Sequence, residues 1–400
     1  MTGFAGHMRN GPCRGFLVLD LSSMVSGPMA GQILADLGAD VIKVEPLGGD
    51  VLRYVAPDFK GLSSYFHHFN RSKRSIAVDL KSPQGLQVVR RLAKKCDVLI
   101  ENFRPSVAER LGLGYGELKR DNPGIIYVSI NGFGPDGPYK DRPAYDHIVQ
   151  ALTGFMTKQG RGGIPEPIRN PVVDKVAAMS AAMSSLAALL ARAGTGGIGQ
   201  QINVKMFDTW AAFILQEQLV NFTFLDPNAP KMPAVDVYRV FSTKDGHVLG
   251  FIMQDSQFHG ICTALGLEHL IADSRFANPG ARVRNVAEMN ENLAPRIAAM
   301  STKDFLAAME AHEVPFAAVN DLDGFFNDPQ AKSNGTYFEI QDPEYGAIRN
   351  LNFFASFDGT PLDLNGRAPR LGEHTLDVLR QFDWSESEIE ALKSARAIGA

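Results

Sequence analysis

The chain has 400 residues, of which 45% are hydrophobic and 21% are charged, a composition typical of soluble globular proteins. A net charge of −4 argues against nucleic-acid binding, which usually requires a basic surface. The three cysteines, Cys13, Cys96 and Cys262, are widely spaced and form no CxxC pair, so we expect neither a zinc site nor a disulfide framework. Since the N-terminus also has no signal-peptide pattern, we expect a cytoplasmic protein.

Strand and helix patterns alternate along the first half of the chain. Short apolar runs typical of buried parallel strands occur at residues 16–21, 41–45, 75–80, 97–102 and 125–134. Helical patterns separate these runs, and the helix that begins at Pro83 has Ser82 as its predicted N-cap. The alternation predicts an α/β fold with a mainly parallel sheet.

The second half of the chain changes texture twice. Loop-forming residues dominate 224–236, and a smaller α/β module with a hairpin turn at Asp245–Gly246 follows. Strand-rich segments return from about residue 330. We therefore predict that a large domain begins with 1–224, that a small domain with its linker occupies 225–330, and that 331–400 returns to the large domain.

Asp174 is the strongest candidate for a catalytic residue. It lies in the segment RNPVVDKVAAMSAAMSSLAALLAR, between a loop rich in Gly and Pro and a long helix of small and apolar residues. A carboxylate at a helix N-terminus is favoured in its ionised form, and an ionised carboxylate can attack an acyl group. The alternative is an ordinary helix N-cap, which position alone favours.

Two further segments indicate ligand contacts. The turn after the first strand, SSMVSGPMAG, lacks the G-x-G-x-x-G spacing of a dinucleotide site, which argues against NAD, but its backbone N–H groups can face an oxyanion. The segment NRSKRSIAVDLKSPQG carries Arg71, Lys73, Arg74 and Lys81. A solvated surface or a phosphate clamp would explain these cations, and the surface is the commoner outcome.

Taken in order, several segments resemble the class III CoA-transferase family, of the formyl-CoA transferase or CaiB–BaiF type. They are LDLSSMVSGPMAGQILADLGADVIKVEP, NRSKRSIAVDLKSPQG, DVLIENFRPSVAERLGLGYGELKRDNPGIIYVSINGFGPDGPY, RPAYDHIVQALTG, the Asp174 segment, GQQINVKMFD and APRLGEHTLDVL. The resemblance implies a Rossmann-like large domain built from both ends of the chain and a smaller inserted domain. It also implies a homodimer of interlocked subunits.

The resemblance implies a mechanism as well. Asp174 matches the family's nucleophilic aspartate, which forms a mixed anhydride with the acyl group and then a thioester with CoA. Acyl-CoA and a small carboxylic acid are the implied substrates, with no tightly bound cofactor and no metal. Matching CoA contacts are Met24, Val25 and Ser26 beside the thioester, Asn102 and Phe103 beside pantetheine, Arg110 as a basic contact, and Val78 and Lys81 near the adenine and phosphate end.

Three departures from formyl-CoA transferases bear on the substrate. Val25 stands where those enzymes have Gln, Pro46 follows Glu45 where they have Arg, and no Gly-rich run occurs between residues 225 and 260. These differences argue against formyl-CoA and oxalate and favour another small carboxylate, such as the dicarboxylate succinate. Arg142, Arg161 and Arg169 are candidate anchors for a second carboxylate, and Arg142 is also a candidate CoA contact.

Two other functions stay open. An α-methylacyl-CoA racemase would use a His–Asp pair as acid and base. In racemases the His directly precedes the Asp of the Y-D segment, whereas Tyr145 occupies that place here and His147 lies on the other side of Asp146. The sequence therefore favours a transferase over a racemase. A non-catalytic acyl-CoA-binding protein is the third possibility.

Overall fold

The computed structural model describes residues 9–160, 162–232, 237–364 and 366–399. The chain divides into two units, one containing Met1–Leu219 and Thr336–Ala400 and the other Val220–Gly335. We describe each unit by itself, beginning with the larger one.

The N-terminal part of the larger unit alternates strands and helices. Its strands are β1 (Leu17–Asp20), β2 (Asp40–Glu45), β3 (Asp58–Phe59), β4 (Leu62–Ser63), β5 (Arg74–Val78), β6 (Val98–Glu101), β7 (Ile126–Asn131) and β8 (Gln201–Lys205). Its helices are α1 (Ser26–Asp36), α2 (Ser64–Asn70), α3 (Pro83–Ala93), α4 (Val107–Arg110), α5 (Tyr115–Asp121), α6 (Asp146–Leu152), α7 (Phe155–Gln159), α8 (Val172–Gly194) and α9 (Met206–Ile214).

The smaller unit packs helices around a short antiparallel sheet. Its elements are β9 (Val240–Ser242), β10 (His247–Gly250), α10 (Asp255–Ala264), α11 (Pro279–Arg284), α12 (Val286–Ala298), α13 (Thr302–Ala311), β11 (Phe316–Ala318), α14 (Leu322–Asn327) and α15 (Pro329–Ser333). β9 and β10 form the hairpin predicted at Asp245–Gly246, and β11 pairs with the other edge of β10. The two-layer arrangement buries an apolar cluster that includes Phe258, Phe276 and Phe305.

The chain then returns to the larger unit. The returning elements are β12 (Tyr337–Asp342), β13 (Gly346–Leu351), α16 (Thr375–Gln381), α17 (Glu386–Ser394) and β14 (Ile398–Gly399). β12 and β13 form a separate hairpin, whereas β14 pairs antiparallel with the edge strand β5 of the main sheet.

The main sheet has the order β14-β5-β2-β1-β6-β7-β8, and all its pairings except β14–β5 are parallel. Without β14, the six parallel strands follow the Rossmann order 3-2-1-4-5-6. The predicted mainly parallel, Rossmann-like sheet is confirmed. In such sheets a ligand crevice forms where the strand order reverses, at the carboxyl ends of the two central strands. Here those strands are β1 and β6.

Helix α8 packs across the sheet in close contact with α1. Its buried face is made almost entirely of small side chains: Ala177, Ala178, Ala181, Ala182, Ser185 and Ala188. Helix α1, which packs against α8, also carries small buried residues, among them Gly27, Ala30 and Gly31. Within the described residues, α8 is the helix long and apolar enough to cross a membrane, but it packs here against α1, α9, β7 and β8 as a core helix does.

Candidate active site

The turns that follow β1 and β6 meet at the point where the strand order reverses. The side-chain amide of Asn102 joins them, because its Oδ1 accepts the Ser23 N–H at 2.9 Å and its Nδ2 donates to the Ser23 carbonyl at 2.7 Å. Glu101 shapes the same turn by accepting the Phe103 N–H at 2.8 Å. Asn102 and Phe103 therefore lie at the crevice where they were expected.

The turn after β1 carries the three residues Met24, Val25 and Ser26. Met24 has a φ of +66°, in the left-handed region that a residue with a side chain seldom occupies. Helix α1 begins directly afterwards at Ser26, and Val25 provides no side-chain cap for it. The first N–H groups of an α-helix have no carbonyl partner within the helix. This turn therefore offers N–H donors to a ligand.

Asp174 lies in the first turn of α8, two residues after the helix begins at Val172. The residue preceding the helix is Pro171, which makes no side-chain cap, so Asp174 is not the ordinary N-cap that its position alone favoured. A carboxylate from α6 caps the helix instead. Asp146 Oδ2 accepts the N–H of Val173 at 2.7 Å and that of Asp174 at 3.1 Å.

Gln150 holds the capping carboxylate and the loop that leads into α8. Its Nε2 donates to Asp146 Oδ1 at 2.6 Å, and its Oε1 accepts the Ile168 N–H at 2.9 Å. Both Asp146 and Gln150 are buried, and they lie four residues apart on one face of α6. The start of α8, and with it Asp174, is thereby fixed to α6.

The Asp174 carboxylate is half-buried, and its pKa is raised to about 6. Burial is the largest cause, because it penalises the charged form, and repulsion from Asp146 adds to it. A hydrogen bond from the Ser26 hydroxyl and the proximity of His147 oppose the rise. The helix N-terminus, which was expected to hold Asp174 ionised, is thus outweighed by burial and by the neighbouring carboxylate. Above pH 6 the ionised form still predominates.

A cavity of about 340 Å³ opens in front of Asp174. Among the described residues that line it, Asp174 is the single carboxylate, whereas Arg104, Lys140 and Arg142 supply three positive charges. The remaining lining residues are Ser23, Met24, Ser26, Asn102, Phe103, Pro105, Ile130, Asn131, Gly132, Phe133, Pro143, Ala144, Tyr145 and Met206. Such a cavity suits an anionic ligand that also has an apolar part.

Other predicted residues lie outside this cavity lining. Val78 is completely buried in β5, where it pairs with Ile398 of β14, and Lys81 is exposed just beyond that strand. Arg110 is exposed and donates to Ser106 Oγ at 3.0 Å. Arg169 is exposed in the loop before α8, and Arg161 lies outside the described residues.

The basic segment around residue 70 is neither of the alternatives raised from sequence. Arg71, Lys73 and Arg74 are buried and form ion pairs with Asp36, Asp20 and Asp40, respectively. Their charges are therefore neutralised within the protein, and they are not directed at solvent or at a phosphate. Lys81 is the member of the segment that stays exposed.

Four residues near Asp174 escaped the sequence analysis as site residues. Asp146 and Gln150 were present in a recognised segment, but nothing in their i, i+4 spacing reveals that they cap another helix. Lys140 follows a Gly/Pro-rich loop, and only the fold brings it to the cavity. Tyr65 on α2 is close enough to Asp174 and Asp146 for both carboxylates to raise its pKa, after burial as the main cause.

No cluster of three or more His, Cys, Asp or Glu side chains arranged to hold a metal occurs in the described parts of the chain.

Comparison with known proteins identifies relatives along nearly the whole chain. Residues 14–375 match the family model for CoA-transferase family III. A succinate–glutarate CoA-transferase of Agrobacterium fabrum is 35% identical over 94% of this chain and 97% of its own length. A human succinyl-CoA:glutarate CoA-transferase is 32% identical over 97% of this chain and 90% of its own length.

A solved structure gives the same result. The crystal structure of a CaiB/BaiF family protein from Brucella suis superimposes with a TM-score of 0.83 at 35% identity, covering 94% of this chain and all of that one. The family match, the relatives' names and the shared fold agree with one another. The chain is therefore an enzyme of CoA-transferase family III, which transfers CoA between acyl-CoA and carboxylic acids.

Proposed function

We propose that this enzyme moves CoA from an acyl-CoA donor to a small dicarboxylic acid, with Asp174 as the covalent nucleophile. The observation that carries the proposal is the setting of Asp174. It is a half-buried carboxylate in the first turn of α8, beside the Ser26 hydroxyl at the start of α1, and among the described residues that line the cationic cavity it is the single carboxylate. A carboxylate so placed is screened from water yet open to a substrate in the cavity.

The reaction begins when an Asp174 carboxylate oxygen attacks the thioester carbonyl carbon of the donor. The C–S bond breaks, its electron pair leaves with sulfur, and a mixed anhydride and a CoA thiolate result. The thiolate then attacks the Asp174 carbonyl carbon of the anhydride, which releases the donor acid as its carboxylate and leaves CoA on Asp174 as a thioester. The acceptor carboxylate repeats these two steps in reverse, so that acceptor acyl-CoA departs and Asp174 is regenerated.

Oxyanion stabilisation falls to the turn before α1. Each attack on a carbonyl carbon places negative charge on its oxygen, and preorganised N–H donors lower that barrier. The backbone N–H groups of Val25, Ser26 and Gly27 are at the N-terminus of α1, next to the Ser26 hydroxyl that bonds Asp174. The buried Val25 side chain leaves its main chain as the part that serves the substrate.

We propose that CoA makes the contacts expected from the sequence. Met24, Ser26, Asn102, Phe103 and Arg142 all line the cavity with Asp174, which supports a thioester and pantetheine path there. Lys81 and Arg110 are exposed cations suited to phosphate groups, whereas the completely buried Val78 would act only by shaping the end of β5 before Lys81. In this assignment CoA is a substrate, and no tightly bound cofactor or metal takes part.

The choice of a dicarboxylate rests on the cavity charge and on the relatives. The three positive charges of Arg104, Lys140 and Arg142 are more than a monocarboxylic acid needs. One carboxylate of the acceptor reacts at Asp174, and the second carboxylate of a dicarboxylic acid requires a cationic anchor. Relatives include enzymes named for succinate and glutarate, for D-citramalate and for L-malate. Arg142 is the predicted anchor that lines the cavity, and Lys140 joins it as a candidate.

We also propose a homodimer, in which a second copy covers the outer face of α8. Only 39% of the most apolar 18-residue stretch of this helix is buried, and the side chains of Met179, Met183 and Leu190 are exposed along it. Exposed Ile148 and Leu152 of α6 extend the apolar patch. Monomeric proteins seldom leave so large an apolar surface in water. We further propose that residues 225–330 form the small domain. We also propose a cytoplasmic location, which suits three free and buried cysteines.

The racemase stays as a second candidate because His147 is close enough to Asp174 to lower its pKa. One experiment separates the two. The enzyme is incubated in deuterium oxide with succinyl-CoA and glutarate, and separately with a 2-methylacyl-CoA. The proposal predicts glutaryl-CoA in the first mixture and no deuterium at the α-carbon in the second. Deuterium incorporation without CoA transfer to any dicarboxylate would establish the racemase.

A further inference from the structure

Lys73 is a deeply buried cation beside the site, and the chemistry above does not use it. Its side chain is fully buried, and its ammonium group donates to three oxygen atoms. These are Asp20 Oδ2 at 2.8 Å, the Pro28 carbonyl at 2.6 Å and Asn70 Oδ1 at 2.9 Å. An ammonium has three N–H donors, so Lys73 is fully satisfied within the protein and has none left for a ligand.

Two of these contacts, with Asp20 and with the Pro28 carbonyl, lie on opposite sides of the turn between β1 and α1. Pro28 belongs to the first turn of α1, two residues after Ser26. Asp20 ends β1, and its Oδ1 accepts both the N–H of Ser22, at 3.0 Å, and the Ser22 hydroxyl. Lys73 therefore closes a bridge from the residue before the turn to the helix after it.

A second buried lysine reinforces the bridge. Lys43 Nζ donates to the Ser22 carbonyl at 2.9 Å and pairs with Asp50 at 3.1 Å. Asp50 in turn lies 3.4 Å from the Met24 N–H. The polar backbone atoms on both sides of the turn are thus bound by charged groups that water cannot reach.

Stability alone is a poor reason for such an arrangement. Taking an ammonium and a carboxylate out of water is costly, and well-packed apolar side chains often replace a buried ion pair without loss of stability. What the charges add is a fixed backbone geometry at a turn whose Met24 has a left-handed φ. That turn supplies Ser26, which bonds Asp174, and the N–H groups assigned to the oxyanion.

We propose that Lys73, acting through Asp20 and the Pro28 carbonyl, is a positioning residue that fixes the β1–α1 turn in the geometry needed for acyl transfer to Asp174. The assignment rests on the proposed function of that carboxylate. It gives the basic segment at residues 70–75 a role that is neither a solvated surface nor a phosphate clamp.

The test uses three variants of the full-length enzyme. Lys73→Met removes the ammonium and keeps the aliphatic stem. Lys73→Met combined with Asp20→Asn also removes the carboxylate, so that no buried charge is left unpaired if the single variant fails to fold. Arg71→Met is the matched control, because Arg71 is a buried cation two residues away that pairs with Asp36 at 2.7 Å and donates to the Leu351 carbonyl, neither of which belongs to the turn.

Two quantities are measured for each folded variant: the rate at which succinyl-CoA acylates Asp174, by rapid quench and mass spectrometry, and the Kd for free CoA, by calorimetry. A positioning role predicts that both Lys73 variants lose about 100-fold in the acylation rate, the effect of a misplacement near 1 Å, with a small change in Kd. Arg71→Met is expected to lower the Tm but to retain the rate within about threefold, since its pair does not support the turn.

Each outcome bears on one proposal. If wild type forms the adduct and the folded Lys73 variants form it equally fast, Lys73 is merely structural and the assignment is overturned. An equal loss of rate in Arg71→Met would overturn it too, since the loss would then follow from any broken pair. If wild-type enzyme forms no adduct with succinyl-CoA or other acyl-CoAs, the proposed function fails, and the assignment fails with it.

Discussion

The N–H of Asp174 donates to Oδ2 of Asp146 at 3.1 Å, so that one carboxylate caps the helix on which the other is carried. This contact has two consequences. It fixes the first turn of α8 against α6, and it brings a negative charge close to the Asp174 side chain, whose pKa it raises together with burial. The position and the pKa of Asp174 therefore depend on the same neighbour.

The first prediction concerns the pH dependence of the reaction. Only the ionised Asp174 attacks, and its pKa is raised to about 6, so kcat/KM for the donor should fall as the pH drops through about 6. Initial rates with succinyl-CoA between pH 4.5 and 8.5 measure this limb. A limb near pH 4 would indicate an unperturbed carboxylate and would contradict the account.

Replacing the neighbour should move that limb. Asp146→Asn removes the negative charge that raises the Asp174 pKa, so the acidic limb should shift to lower pH, by about one unit. The variant should also lose about 1 kcal/mol of stability, because its amide group faces the Gln150 Nε2, which is itself a donor. Comparison of the two pH–rate profiles measures the shift, and an unchanged or raised limb would count against the electrostatic role.

Stability should respond to Asp174 in the opposite sense to activity. A carboxyl group whose folded pKa is about 6, against an ordinary 3.8, contributes stability below pH 3.8 that is lost as the pH rises through 6. The neutral Asp174→Asn should therefore be inactive yet more stable than wild type at pH 8, by about 2 kcal/mol, with the difference vanishing towards pH 4. Urea unfolding at both pH values measures the difference. Equal stabilities of wild type and Asp174→Asn at pH 8 would show that the ionised Asp174 carboxylate does not destabilise the folded protein.

Asn102 provides a test of the crevice. Asn102→Ala removes both hydrogen bonds to Ser23 and frees the turn that carries Met24, so kcat/KM for acyl-CoA should fall about 10- to 100-fold. Asn122→Ala is the matched control, since its amide also donates two bonds, to the Ala93 and Cys96 carbonyls at 2.9 and 2.8 Å. The control should lose stability while keeping its kinetics. Similar kinetic losses in both variants would indicate a general effect of destabilisation.

The oligomer proposal has its own measurement. Met183 is exposed in the middle of the outer face of α8, and a charge there would be buried without a partner on association. Met183→Lys should therefore dissociate the dimer, which sedimentation velocity at several concentrations detects. A wild-type protein that sediments as a monomer at micromolar concentration would refute the dimer.

Local patterns were sufficient to predict most strands of the main sheet, but not the short edge strand β14. Buried strands read as apolar runs, the helix at Pro83 is capped by Ser82 as expected, and the Asp245–Gly246 turn joins β9 to β10. Such features depend on neighbours in sequence, which is why they can be read from it. Asp174 could be chosen as the candidate nucleophile because the surrounding segments resemble a family, whereas its position alone favoured an ordinary helix N-cap.

The environment of Asp174 could not be predicted in the same way. Asp146 is 28 residues away in the chain, and its contact with the start of α8 exists only once α6 has packed against that helix. The buried Lys73 shows the same limit, because its partner Asp20 is 53 residues away on another strand. A run of cations is usually solvated. Only the tertiary fold reveals that Arg71, Lys73 and Arg74 are buried.

The central claim is that Asp174 carries the transferred group. It is tested by mixing the enzyme with succinyl-CoA, quenching in acid and measuring the mass of the peptide that holds Asp174, with and without hydroxylamine. The account predicts an adduct of CoA mass on Asp174 that hydroxylamine removes and that glutarate discharges as glutaryl-CoA. Turnover to glutaryl-CoA by Asp174→Asn, or turnover by wild type without any adduct on this peptide, would contradict it.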